Sequence, residues 1–138
     1  MEIRAFRADD ESAVVALWER CGLTRPWNDP HKDIVRKLTV QPEFFLVGVV
    51  DGAVVASAMA GYDGHRGWVN YLAVAPECRS RGLGRDMMRE VERLLRAVGC
   101  PKVNLQVRDT NSDAMAFYEA LGYGRDAVVS MGKRLETD

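Results

Sequence analysis

The spacing of apolar residues along the chain changes several times, and each change marks an element. Glu2-Ile3-Arg4-Ala5-Phe6 alternates and reads as a short first strand. Asp9 or Asp10 suits the cap of a helix whose Val14, Leu17, Trp18 and Cys21 form one apolar stripe, ended by Gly22. The loop from Leu23 is dense in turn formers, and Asp29-Pro30 opens a second helix carrying Ile34, Val35 and Leu38. Phe44 to Val50 is a strongly apolar strand, Asp51-Gly52 a hairpin turn, and Ala53 to Tyr62 its partner. A further turn, Asp63 to Gly67, leads into the apolar run Trp68 to Val74. Leu83, Met87, Met88, Val91, Leu94, Leu95 and Val98 then recur at helical spacing up to Gly99. Lys102 to Val107 reads as a fifth strand, and its approach through a helix implies parallel pairing with the Trp68 strand. Asn111 or Ser112 caps a helix over Asp113 to Leu121, and Val128 to Leu135 reads as a last edge strand. The order βααβββαβαβ predicts an α/β (α+β) chain, with a mixed sheet and helices on both faces.

Between the fourth strand and the long helix lies Arg79-Ser80-Arg81-Gly82-Leu83-Gly84. Gly82 and Gly84 allow a sharp turn and close approach of the backbone to a ligand. The free amides and positive dipole end of the helix face the same spot, to which Arg79, Arg81 and Arg85 add charge. This arrangement suits a phosphate or pyrophosphate. The plainer reading is a strand-to-helix turn with a solvated basic rim. Neither G-x-x-x-x-G-K-[ST] nor G-x-G-x-x-G is present, because position 87 is Met.

Composition narrows the class. With 138 residues the chain is sized for one domain, expected to span 1–138. A formal charge of −1 gives no global attraction to nucleic acid or to an anionic membrane, so basic character is local. Cys21, Cys78 and Cys100 are odd in number and far apart, which favours reduced thiols and a cytoplasmic setting over a disulfide framework. With only His31 and His65 as imidazole partners, no metal site is expected. No apolar run approaches the roughly 18 residues of a membrane span, and no signal peptide is recognisable.

The basic loop resembles the Arg/Gln-x-x-Gly-x-Gly/Ala motif of the Gcn5-related N-acetyltransferase (GNAT) superfamily. A second stretch resembles the same family independently: Asn111-x-x-Ala114-x-x-Phe117-Tyr118-Glu119-x-x-Gly122-Tyr123 is similar to its N-x-x-A-x-x-F-Y-x-x-x-G-[FY] signature. The element order resembles that fold over essentially the whole chain, implying a mostly antiparallel sheet of about six to seven strands. More narrowly, Arg25-Pro26-Trp27-Asn28-Asp29-Pro30 and Gly61 to Gly67 resemble a YpeA-type subfamily of small bacterial acetyltransferases.

The resemblance implies acetyl-coenzyme A as co-substrate and direct transfer of its acetyl group to a primary amine. It implies that residues Arg79, Ser80, Arg81, Gly82, Leu83, Gly84 and Arg85 hold the pyrophosphate, and that Leu72-Ala73-Val74 pairs with the pantetheine arm and supplies an oxyanion N–H. Asn111 matches a coenzyme-contacting position, with a helix cap as the competing role. Tyr118 matches a tyrosine that protonates the leaving thiolate, with a packed aromatic as the competing role.

The general base is missing at its usual places. Gln106 stands on the fifth strand where some relatives carry glutamate, and Trp68, Asn70 and Tyr71 on the fourth strand are not acidic. Asp63, His65, Asp29 and His31 are further candidates, though each reads first as a turn, cap or solvated loop residue. The acceptor site is expected between the first two helices and the splayed strands, with Trp27 as an aromatic wall flanked by Arg25, Asn28 and Asp29; alternatively Trp27 plugs the core. The expected partner is a small-molecule amine, with a peptide N-terminus or lysine, or a non-catalytic coenzyme A-binding module, as alternatives. Monomer and homodimer both stay open.

Overall fold

A computed structural model describes residues 1–138. Alternation in the two central strands, β2 (Phe45–Val50) and β3 (Ala53–Tyr62), sorts side chains between two cores. Phe45, Val47, Val55 and Met59 join one, while Leu46, Ala56, Ala58 and Ala60 join the other. With β1 (Glu2–Ala5), β4 (Gly67–Val74) and β5 (Val103–Leu105) they form one sheet in the spatial order β1-β2-β3-β4-β5. The first four strands are antiparallel to their neighbours, and β5 lies parallel to β4. Helices α1 (Glu11–Arg20) and α2 (Pro30–Lys37) cover the first core, in which Val14, Leu17, Trp18 and Ile34 are buried. Helices α3 (Leu83–Ala97) and α4 (Ser112–Ala120) cover the second, where Met87, Met88, Val91 and Leu95 pack on the short alanines of β3. The fold class is the expected one, a mixed and mostly antiparallel sheet with helices on both faces.

Trp18 is the centre of the first core. It is 0% exposed, its ring stacks on Tyr71 at 3.8 Å between centroids, and its Nε1 donates to Ser57 Oγ at 2.9 Å. Ser57 Oγ in turn donates to the Tyr71 carbonyl at 2.8 Å, so the buried hydroxyl is satisfied on both sides. That carbonyl sits on a bulge. Ser57 faces Ala73 and Met59 faces Asn70, leaving Tyr71 and Leu72 opposite Ala58 alone. Tyr71 accordingly takes φ +53, in the left-handed region that a bulky side chain rarely enters.

Four expectations are corrected. The sheet has five strands, not six to seven, because residues 128–135 form no strand. That segment makes no backbone hydrogen bond to β5 and is held by side-chain contacts, Gln106 to Ser130 within it and Lys102 to Asp126 just before it. Val128, Val129, Met131 and Leu135 stay exposed. The fifth strand itself is shorter than the expected Lys102 to Val107. Val35 and Leu38 are exposed, so only Ile34 anchors α2 in the core. Asp10 does not cap α1 with its side chain; its carboxylate accepts instead from Arg4 at 2.8 and 2.9 Å and from the Arg7 N–H at 2.8 Å.

Candidate active site

Strands β4 and β5 pair only over Gly67–Val69 and Val103–Leu105, while β4 runs on to Val74. From Asn70 onward β4 therefore has one edge without a neighbouring strand, which leaves the β4/β5 opening on that side. At its end the Val74 carbonyl accepts from Arg79 Nε and from Cys21 Sγ, each at 3.3 Å. Leu72 is half-buried against the α3 core, and Ala73 is buried on the opposite side.

The basic loop sits at the same end. Ser80 and Gly82 have φ +64 and +77, turning the chain into α3. The first backbone hydrogen bond of α3 runs from Asp86 N–H to Gly82 O at 3.1 Å. The N–H groups of Leu83, Gly84 and Arg85 thus have no backbone acceptor, and no side chain caps them. Arg79, Ser80, Arg81 and Arg85 are exposed, and Arg81 makes no ion pair. Gly84 packs closely: a Cβ there would lie 3.0 Å from the Phe117 ring of α4, which would have to shift by a few tenths of an ångström.

Phe117 carries the next residue, Tyr118, whose ring packs edge-on against Phe117 and Tyr123. The Tyr118 hydroxyl makes no hydrogen bond within the chain, and burial pushes its pKa up to about 12. It lines a groove of about 1030 Å³ along β5 and α4, together with Leu105, Gln106 and Val107. Asn111 caps α4, its Oδ1 accepting from the Ala114 N–H at 3.0 Å.

Comparison with known proteins identifies the family. Residues 6–123 match the acetyltransferase (GNAT) family. The chain belongs to that family. Members bind acetyl-coenzyme A as co-substrate, and this enzyme is accordingly an acetyl-coenzyme A-dependent acyltransferase. It is 51% identical over 138 residues to an acetyltransferase of Pectobacterium atrosepticum, covering 100% of this chain and 98% of that one. Among solved structures it resembles Ard1 from Thermoplasma volcanium, at a TM-score of 0.80 and 28% identity over 91% of this chain and 84% of that one. An aminoglycoside 6'-N-acetyltransferase from Acinetobacter haemolyticus shares the fold, at a TM-score of 0.76 and 16% identity, covering 99% of this chain and 100% of that one.

On the α1–α2 side of the acetyltransferase, Trp27 is 58% exposed, so it does not plug the core. Arg25 is committed to its own loop, its Nη1 donating to the carbonyls of Gly22 at 2.7 Å and Thr24 at 2.8 Å. Asp29 caps α2, accepting from His31 N–H at 2.9 Å. Asn28 reaches inward, its Nδ2 donating to Asp33 and to Tyr71 Oη. Tyr71 Oη donates to Asp33 Oδ2 at 2.6 Å. Burial first, and then this carboxylate, push the Tyr71 phenol well above its ordinary range.

Asp33 is the residue that reading the sequence missed. It looks there like an ordinary first-turn acid of α2, and only the bulge and the Trp18 stack bring Tyr71 across to it. The other acid–base candidates hold structural posts. Asp63 accepts from the N–H groups of His65 and Arg66 at 2.8 and 2.7 Å, which keeps its carboxyl below the usual range. His31 lies 3.6 Å from Glu11, and Gln106 donates to Ser130 Oγ.

The raised phenols carry a pH consequence. Burial lifts Tyr118, Tyr71 and Tyr123 above their unfolded value near 10, so their contribution to stability is complete below ~10. It is lost as pH rises toward and through the folded values. At pH ~11 the folded protein should show less tyrosinate absorbance at 295 nm than the urea-unfolded chain, and its melting temperature should fall steeply above pH ~10. Equal absorbance in the two states would contradict buried phenols.

No helix is long and apolar enough to cross a membrane.

Proposed function

We propose that this chain transfers acetyl from acetyl-coenzyme A directly to a primary amine of a small molecule, without a covalent enzyme intermediate. The observation that carries this reading is the coincidence of three unpaired N–H groups at residues 83–85 with the unpartnered Arg81, at the mouth of the β4/β5 opening. Free amides at a helix N-terminus and a mobile guanidinium match a pyrophosphate in charge and geometry. Arg79, Ser80, Gly82 and Arg85 complete that cradle. The unpaired edge at Leu72-Ala73-Val74 suits an extended pantetheine arm, and an N–H on it suits the oxyanion that forms during acyl transfer. The coenzyme supplies the activated thioester. The amine nitrogen bonds the acetyl carbon as the C–S bond breaks; Tyr118, protonated and without a partner, supplies a proton to the departing sulfur, and the proton shed by the nitrogen leaves through water. Asn111 caps α4, a post compatible with the coenzyme contact its position implies.

The acceptor amine is placed near Asn28, Asp33 and Tyr71, with Trp27 exposed beside them. A small acceptor is favoured because residues 134–138 lie across this loop: Arg134 Nη2 donates to Asn28 Oδ1 at 3.0 Å and the Asp29 N–H donates to Asp138 at 2.9 Å. A peptide N-terminus or lysine is the second reading, and it requires the whole of residues 134–138 to clear the loop. The YpeA-type resemblance and a single N-acetyltransferase domain over 1–138, working in the cytoplasm, belong to the same reading.

A thermal-shift titration with acetyl-coenzyme A, coenzyme A, ATP and NAD tests it. A ligand at 100 times its Kd stabilises by about 2.7 kcal/mol, on the order of a 10 °C rise for a chain of this size. Saturable shifts with the two coenzyme A forms alone are expected, with affinity about tenfold weaker in Arg81→Ala. If neither form shifts the melt, the assignment of residues 79–85 fails.

A further inference from the structure

The segment after α4 is held in an unusual way. Residues 124–138 make no backbone–backbone hydrogen bond to the rest of the chain, and their large apolar side chains are exposed. Polar side chains hold the segment: Lys102 to Asp126, Gln106 to Ser130 and Arg134 to Asn28. Exposed pairs of this kind contribute about 0–1 kcal/mol each, so the segment is displaceable.

Asp138 is the exception, with a side chain only 2% exposed. Arg36 faces both carboxylate oxygens, its Nη2 donating to Oδ1 at 2.7 Å and its Nη1 to Oδ2 at 3.4 Å. The Asp29 N–H, at the start of α2, donates to Oδ2 at 2.9 Å, and Arg134 Nη1 lies 3.7 Å from Oδ1. Lys32 Nζ donates to the Asp138 carbonyl at 3.2 Å. Arg36 holds the Asp138 carboxyl at about 2, well below its usual range. All but the Lys32 contact recognise a carboxylate as such, whatever carries it.

The same guanidinium links this carboxylate to the amine side. Arg36 Nη1 also donates to Asp33 Oδ1 at 3.3 Å, and Asp33 Oδ2 accepts from Tyr71 at the bulge. A cation that receives a carboxylate thus stands beside an anion that can receive an ammonium.

We propose that Arg36 and the first turn of α2 form a carboxylate subsite of the acceptor site, that the acceptor is a small amino acid with a free carboxylate, and that Asp138 fills the subsite until such an acceptor displaces it. This rests on the amine acetylation proposed above and names its substrate class. The carboxylate binds at Arg36 and the Asp29 N–H, and the ammonium faces Asp33.

The test uses glycine, β-alanine, 4-aminobutyrate and 5-aminovalerate, each beside its methyl ester, with thiol release as readout. At least one acid is expected to show KM about tenfold below that of its ester. In Arg36→Gln that ratio collapses toward one, Arg36→Lys restores part of it, and in Asp138→Asn it widens about threefold. Equal KM for acid and ester, or a ratio that neither variant moves, overturns the proposal. A second arm needs no turnover: calorimetric titration of Asp138→Asn with the N-acetyl form of each acid and with its amide. Binding of the acid alone supports the subsite, and equal binding or none at millimolar concentration overturns it. The coenzyme melt is scored separately, so failure of the acetyl-transfer reading is distinguishable from failure of the subsite. Melting curves of all variants separate a lost subsite from a lost fold.

Discussion

Tyr118→Phe is expected to lower kcat by about 10²-fold while leaving the melting temperature within ~2 °C of the parent. The two halves of that expectation have different sources. The Tyr118 hydroxyl has no hydrogen-bond partner in the chain, so its removal orphans nothing, and the ring keeps its edge-on contacts with Phe117 and Tyr123. Folding and coenzyme binding should therefore survive. Turnover should not, because the departing sulfur then develops charge with no donor beside it. General acid catalysis contributes about 10²–10⁴-fold, and a phenol raised to about 12 is a weak acid, which places the loss at the low end. For the same reason no alkaline fall in kcat attributable to this group is expected below pH ~11. Steady-state kinetics with a saturating amine, beside a coenzyme titration of the variant, checks both halves. A variant with parental kcat would return Tyr118 to a packing role.

The largest loss of stability is expected at the opposite face. Trp18→Ala removes a side chain that is 0% exposed and should cost about 3–5 kcal/mol. That is a large fraction of the 5–15 kcal/mol by which a typical domain is stable, so the melting temperature should fall by roughly 10 °C or more. The damage is not only a cavity. Ser57 Oγ loses its donor, and Tyr71, held at φ +53, loses the ring stacked on it at 3.8 Å. The Asp33–Tyr71 contact depends on that position, so KM for the acceptor should rise even in folded protein, whereas coenzyme affinity should change little. Trp18→Phe should retain part of the packing and lose the hydrogen bond, giving an intermediate cost. Urea denaturation measures the series; a loss under ~1 kcal/mol for Trp18→Ala would mean that the stack does not anchor the bulge.

Much of this protein is decided within short windows of its chain. The stripe of Val14, Leu17 and Trp18, the Asp29-Pro30 start of α2, the Asp51-Gly52 hairpin and the Asn111 cap each follow from residues a few positions apart, and each is present in the fold. The glycine-bearing loop into α3 is equally local, since left-handed φ at Gly82 and free amides after it need no distant partner. Residues that meet only through the sheet were not legible. Asp33 and Tyr71 are 38 positions apart, and they touch because an extra residue in β4 rotates Tyr71 toward the helices. Trp27 carries no local mark that separates a core plug from an exposed ring; the answer depends on how α1 and α2 close over β4. Residues 128–135 have the composition of a strand, yet a strand forms only where a neighbour's backbone pairs with it, and this segment makes no backbone hydrogen bond to β5. The sequence by itself determined the elements up to α4, their order and the helix-terminal loop, because propensity, caps and turns act between near neighbours. Only the tertiary structure decided which side chains meet beside the β4 bulge and where the last fifteen residues lie, because those outcomes depend on pairing and packing between parts of the chain that the sequence keeps apart.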